Sequence, residues 1–168
     1  DRRRPPGYGK FLARLSEYSK ERGWQTGGFK NVEGDDVLGI LHEPGCVIVS
    51  GDKDMLTLPG QHWRDGELIT ISEMDANTAF YKQTLVGDTA DNFPGCPGIG
   101  DKNKLFRSKE WLTATTEKEL WALVLHQFQR AGFDELYALT QARCARILRV
   151  GEFDLKAGTP HLWEPPVI

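Results

Sequence analysis

LVGDTADNFPGCPGIGDKNK, residues 85–104, sets two elements back to back. Asp88 and Asp91 stand three apart, a spacing that puts both carboxylates on one face of a helical turn. Pro94-Gly95-Cys96-Pro97-Gly98-Ile99-Gly100 follows. Its glycines tolerate positive φ, so the turn exposes backbone N–H groups. Asp101-Lys102-Asn103-Lys104 then opens a basic helix, whose first amides and dipole suit a phosphate. Acid pair, phosphate cradle and lysines in one run point to a metal-dependent enzyme that holds nucleic acid. Alone, Asp-x-x-Asp is an ordinary solvated helix face and a Pro/Gly cluster an ordinary turn. The combination is rarer, and two more acidic clusters stand upstream.

The first is Glu33-Gly34-Asp35-Asp36, leading into the apolar helix Val37-Leu38-Gly39-Ile40-Leu41. Asp35 and Asp36 suit a helix N-terminus, but three acids within four residues exceed what capping needs. They repel one another unless a cation lies between them. The second cluster, Asp52 and Asp54, follows Cys46-Val47-Ile48-Val49-Ser50, a continuous apolar run typical of a buried parallel strand. In open α/β sheets the ligand site lies beyond the carboxyl ends of the strands, which is where these two acids fall.

Around these motifs the elements read as follows. Tyr8, Phe11, Leu12, Leu15 and Tyr18 have helical spacing, and the helix ends at Gly23. Trp24 to Val32 reads weakly as a strand. Glu67 to Ile71 is a strand after the turn Arg64-Asp65-Gly66, and Ser72 caps a helix through Tyr81. Beyond Lys104, Leu120, Trp121, Val124, Leu125 and Phe128 make an amphipathic helix closed by Gly132. A last helix, from Leu136 to Leu148, carries Arg143, Arg146 and Arg149, either as a solvated face or as a phosphate-facing stripe. Trp163 should pack back on the domain.

Composition bounds the class. The 168 residues suffice for one domain, or one with a small appendage. Net charge is −3, yet the acids gather at 33–36, 52–54 and 88–91, and the bases at 2–4, 102–109 and 143–149. Divalent metal would neutralise the first set and leave the second to face phosphate. Three cysteines without close spacing argue against a disulfide framework and for a reducing, cytoplasmic compartment. No run approaches the roughly 18 apolar residues of a membrane span. Cys46 should be core, and Cys96 in its turn exposed.

Seven carboxylates thus stand as candidate metal ligands: Glu33, Asp35, Asp36, Asp52, Asp54, Asp88 and Asp91. Hard oxygen donors favour Mg²⁺ or Mn²⁺ over zinc. His42, His62, His126 and His161 show no ligand spacing. So many carboxylates in one cleft suit two ions, about 3.5–4 Å apart, as in nucleases and phosphatases. The glycine turn would grip a duplex backbone without reading bases.

The three ordered motifs, EGDDVLG (33–39), SGDKD (50–54) and GDTADN (87–92) followed by PGCPGIG (94–100), resemble the 5′ nucleases. That superfamily comprises the 5′→3′ exonuclease domain of bacterial DNA polymerase I, phage 5′→3′ exonucleases and flap endonucleases. The segment from Ala145-Arg146-Ile147-Leu148-Arg149 to Leu162-Trp163 is most like podovirus-type phage exonucleases. The resemblance implies an α/β fold: a PIN-like parallel sheet flanked by helices, with a helix–hairpin–helix element of the H3TH type. Residues 1–87 would be the C-terminal portion of the PIN-like core. Residues 88–168 would hold the helix–hairpin–helix region, the last helices and the tail. The seven acids match the family's metal site. Gly95, Gly98, Gly100 and Lys102 match the hairpin that binds duplex backbone, with Lys104 beside them; in several relatives that turn also holds K⁺. Arg2 or Arg3 would be the remnant of a helical arch. Family members begin with a strand ending in a metal-binding Asp, which this sequence does not show. It corresponds to the last half to two thirds of such an enzyme, with an unpaired sheet edge expected.

The activity implied is Mg²⁺-dependent hydrolysis of DNA from 5′ ends by two-metal chemistry. Flaps and RNA–DNA hybrid, as in an RNase H-like reaction, are further substrates, and no membrane partner is implied. The alternative is a non-catalytic module that binds duplex DNA, although a binder gains nothing from carboxylates facing phosphate. An RNA-directed relative is a third reading, but single-strand RNA readers interleave aromatics, and none are seen.

Overall fold

A computed structural model describes residues 5–167. Arg2 and Arg3 lie outside them. Helix α1 (Tyr8–Glu21) ends where the sequence places it, with Gly23 at φ 74°. Trp24 to Val32 forms no strand: the Gly27-Gly28 pair sits in exposed, irregular chain. Helix α2 (Gly34–Ile40) carries Asp35 and Asp36 in its first turn.

The sheet is mixed rather than parallel. Strand β1 (Val47–Val49) pairs in parallel with β2 (Gly60–Arg64), and β2 pairs antiparallel with β3 (Glu67–Ile71). The β2–β3 hairpin turns on Asp65 and Gly66, both at positive φ (53° and 87°). That is the two-residue turn whose twist matches the strands. Sequence reading missed β2, because Gly60-Gln61-His62-Trp63-Arg64 lacks an apolar run. Strand β1 is also less buried than its composition implies. It stands at the sheet edge, with Ile48 inward and Val47 and Val49 outward. Val49, Trp63 and Leu68 share a register row on the exposed face. Cys46 is accordingly exposed rather than core.

The main core lies further along the chain. Helix α3 (Glu73–Val86), capped by Ser72, packs against α5 (Glu117–Arg130) and α6 (Glu135–Ala145). The Ser72 hydroxyl accepts from the Asp75 amide, and a reciprocal Thr116–Glu119 capping box starts α5. Phe80, Tyr81, Leu120, Trp121, Val124 and Phe128 fill the interior. Trp163 returns to this core as expected, edge-on to Phe80 and Trp121 at centroid distances of 5.2 and 5.5 Å. Between α3 and α5 runs the glycine turn, then a 3₁₀ turn (Lys104–Arg107) and the one-turn helix α4 (Lys109–Leu112). The basic helix expected at Lys102 is therefore only this short turn. A two-stranded ribbon, β4 (Phe153–Asp154) and β5 (Thr159–Pro160), closes the tail.

Candidate metal centre

β1 and the 3₁₀ turn Asp54–Thr57 that follows it deliver Asp54 to the mouth of an open cleft of about 610 Å³. Asp88 and Asp91 arrive from the other side. Their segment is not helical. Asp88 and Phe93 exchange both backbone hydrogen bonds, N to O at 2.9 and 3.0 Å, and close a tight loop. The Asp88 carboxylate accepts the Ala90 amide at 2.7 Å. The i, i+3 pair still converges, by a loop rather than a helix. One oxygen each from Asp54, Asp88 and Asp91 lie within 4.8 Å of one another, the group with metal-ligand spacing among the described residues.

The other four acids take graded positions. Asp35 lines the cleft; burial, then the charges of Asp52, Asp36 and Asp91, push its pKa up. Asp54 is likewise raised, by burial first and then by Asp52, Asp88 and Asp91, against a lowering by Lys53. Burial and surrounding negative charge at Asp35 and Asp54 are what a cation bound among these carboxylates would offset. Glu33, at the start of α2, lines the same cleft. Asp52 is exposed, and its carboxylate accepts the Asp54 amide at 3.0 Å. Asp36 lines the cleft too, but one of its oxygens accepts the Leu148 amide at 2.9 Å. All-oxygen donors with no histidine or cysteine in the close set suit a hard divalent cation. His62 is buried elsewhere, with Nε2 2.9 Å from the Leu58 carbonyl oxygen.

The glycine turn is welded to this site. Gly87 and Gly95, at φ 72° and 66°, cross so closely that a Cβ on Gly95 would sit 2.5 Å from the Gly87 nitrogen. Only glycine allows both the φ and the approach. The Gly95 amide donates to the Gln141 side chain at 2.9 Å, so it faces inward. Cys96 is buried rather than exposed, and its amide donates to the Leu85 carbonyl at 2.8 Å. Gly98, Gly100, Lys102 and Lys104 are the outward members of the predicted hairpin set.

Three features escaped the sequence reading. Lys53 Nζ lies 3.8 Å from Asp88. Gln141 is a buried helical glutamine that periodicity cannot mark. The arginines of the last helix form neither a solvated face nor a phosphate stripe. Arg143 donates to Trp163 and Glu164, Arg146 pairs with Glu152, and Arg149 with Glu73. Helix α6 ends at Ala145, so Arg146 and Arg149 lie beyond it.

No protein-family model matches the chain. It is 28% identical to the exonuclease of Escherichia phage T7, over 97% of this chain and 65% of that protein. It is 27% identical to the exodeoxyribonuclease of Enterobacteria phage T3, over 97% and 64%. A 5′-3′ exonuclease of Bacillus subtilis is 31% identical over 60% of the chain and 42% of the relative. The chain is similar to phage exonucleases and to bacterial 5′-3′ exonucleases. It spans just under two thirds of the phage relatives it matches. Among the described residues, no helix is long and apolar enough to cross a membrane.

Proposed function

We propose that the chain carries the metal site and the duplex grip of a 5′→3′ DNA exonuclease that hydrolyses phosphodiesters from 5′ ends. The observation that supports this reading best is the convergence within 4.8 Å of Asp54, from the turn after β1, with Asp88 and Asp91, from a loop fused to a glycine turn. Asp54, Asp88 and Asp91 would hold the ion, with Asp35 and Glu33 of the same cleft and the exposed Asp52 as further donors. A second ion would draw on that outer set. When bound, Mg²⁺ or Mn²⁺ supplies water acidification and neutralises charge on phosphate oxygens. The chain's own part is to hold the carboxylates close, and to bring a backbone phosphate to them. Lys53, beside Asp88, offsets negative charge at the cleft mouth. Lys102, Lys104 and the amides around Gly98 and Gly100 would anchor the duplex one turn away by contacts that carry no sequence information. On this reading the turn would serve as the hairpin of a helix–hairpin–helix element, and its carbonyls are where K⁺ would bind. Flap and RNA–DNA hybrid cleavage belong to the same proposal.

The test is degradation of a 5′-labelled duplex by the chain, with Mg²⁺ and with EDTA, beside Asp88→Ala and Asp91→Ala. Release of short 5′ products that needs Mg²⁺ and both acids, with duplex binding retained in the variants, is the expected result. Cleavage by both variants at the wild-type rate would sink the metal assignment. Tight duplex binding without cleavage would favour the non-catalytic binding module.

A further inference from the structure

Residues 146–149, which leave the end of α6, run along the cleft and reach both α2 and the Asp54 turn without supplying a carboxylate donor. The Leu148 amide donates to the Asp36 carboxylate. The Leu148 carbonyl lies against Gly39 of α2, where any Cβ would collide with it. Ile147 packs on Ile48, Met55 and Leu58, beneath β1 and the Asp54 turn. Arg149 donates from one terminal nitrogen to the Thr57 carbonyl at 2.7 Å and from the other to Glu73 at 2.7 Å. The Thr57 hydroxyl in turn donates to the Asp54 carbonyl at 2.8 Å. Two hydrogen bonds therefore run from the Arg149 guanidinium to the backbone of Asp54. The Arg149 side chain is only 12% exposed, so no phosphate in solvent can claim it without breaking this arrangement.

From this we infer that the segment is a strap that sets the spacing between the α2 acids and Asp54, and that Arg149 is a positioning residue for the metal centre rather than a DNA contact. The strap joins two elements that share few other contacts. α2 is held through Asp36 and Gly39, and the Asp54 turn through Thr57 and Ile147. A planar guanidinium with two donors spans Thr57 and Glu73 together, which an ammonium on a flexible stem cannot do in the same geometry. Loss of Arg149 leaves the carbonyl of the buried Thr57 without its donor and frees Asp54 to relax away from Asp88 and Asp91, whose charges already repel it.

The inference rests on the proposed metal site, but its test does not need cleavage. Mn²⁺ is titrated into the full chain by calorimetry, and duplex affinity is measured separately against salt. Arg149→Met, still folded by circular dichroism, should bind Mn²⁺ about tenfold more weakly, the usual range for groups that orient ligands. Its duplex affinity and salt slope should match wild type. Arg149→Lys should fall between the two, and it carries the test if the Met variant does not fold. Val124→Ala, a cavity in the α5 core remote from the cleft, controls for mere destabilisation and should leave Mn²⁺ affinity unchanged. Unchanged Mn²⁺ binding by a folded Arg149→Met, an equal loss in Val124→Ala, or a salt slope lowered by about one would each overturn the strap. If wild type binds Mn²⁺ but cleaves no DNA, the nuclease reading fails while the strap stands. If it binds no Mn²⁺, both fail.

Discussion

Asp54→Asn should make the metal-free protein more stable while removing its response to metal. The three carboxylates of the centre lie within 4.8 Å of one another. Two unit charges at that distance repel by roughly 1 kcal/mol in water and about 3.5 kcal/mol at an effective dielectric of 20. The cleft is open to solvent, and Lys53 stands beside Asp88, so the lower end applies. Removing the Asp54 charge relieves two such pairs, about 1–2 kcal/mol after screening. For a chain of this size each kcal/mol moves Tm by about 2–4 °C, so the gain is about 2–8 °C. The amide keeps the shape of the carboxylate, so the neighbouring cluster of Ile48, Met55 and Leu58 is untouched. Thermal unfolding in EDTA at low ionic strength reads the gain, which should shrink in concentrated NaCl. Wild type should be raised by Mg²⁺, by about 2.7 kcal/mol at a hundredfold excess over Kd, and Asp54→Asn hardly at all. A variant less stable than wild type in EDTA would refute the reasoning. So would a wild type that ignores Mg²⁺ at every concentration.

Other outcomes follow from the same geometry. In EDTA the protein should gain stability as pH falls from neutrality into the carboxylate range. The Asp35 and Asp54 pKa values are raised in the folded state, so protonation favours folding and this contribution is lost again as pH rises through the raised values. Saturating Mg²⁺ should abolish that gain, and Tm against pH with and without metal is the measurement. Gln141→Ala strands the buried Gly95 amide and should cost about 1–3 kcal/mol. Gln141→Glu, which keeps an acceptor, should cost less, and hydrogen exchange at the Gly95 amide distinguishes them. Trp163→Ala empties a site between Phe80, Tyr81 and Trp121 and should cost about 3–5 kcal/mol, read from urea unfolding, with Mn²⁺ affinity retained. Lys102→Ala should weaken duplex binding equally across sequences and lower the salt slope by about one.

The sequence made the acids legible and their grouping less so. Ser72, Gly23 and Gly132 punctuate helices by local chemistry, which a linear pattern carries. The strand Glu67–Ile71 came out to the residue, because Asp65-Gly66 admits few alternatives to a tight turn. Burial misled where tertiary context decides it. Val47 and Val49 read as core but face outward at a sheet edge, and Cys96, in a Pro/Gly turn, is buried because that turn folds under α3. The arginines were illegible for a related reason. Their partners Glu73, Glu152 and Glu164 lie up to 76 residues away, and nothing in the local pattern separates a charge that meets a distant acid from one that meets a phosphate.

The repulsion at the cleft and the stiffness of its surroundings belong together. Asp54, Asp88 and Asp91 come from two segments that would separate if either could move, since every ångström gained lowers their mutual energy. Three rigid devices oppose that: the Gly87–Gly95 crossing, the Gln141 bond to the Gly95 amide, and the Arg149 strap over the Asp54 turn. Each uses backbone groups that were already buried, so each resists a small displacement with a full unsatisfied hydrogen bond or a steric collision. None resists through an added charge at the cleft. A cation entering such a frame meets donors already gathered, and the cost of gathering them has been met during folding. Asp52 is held in its turn by Arg64, which donates to its carbonyl at 2.8 Å, so Glu33, whose carboxylate no comparable device holds, is the acid expected to shift when metal arrives.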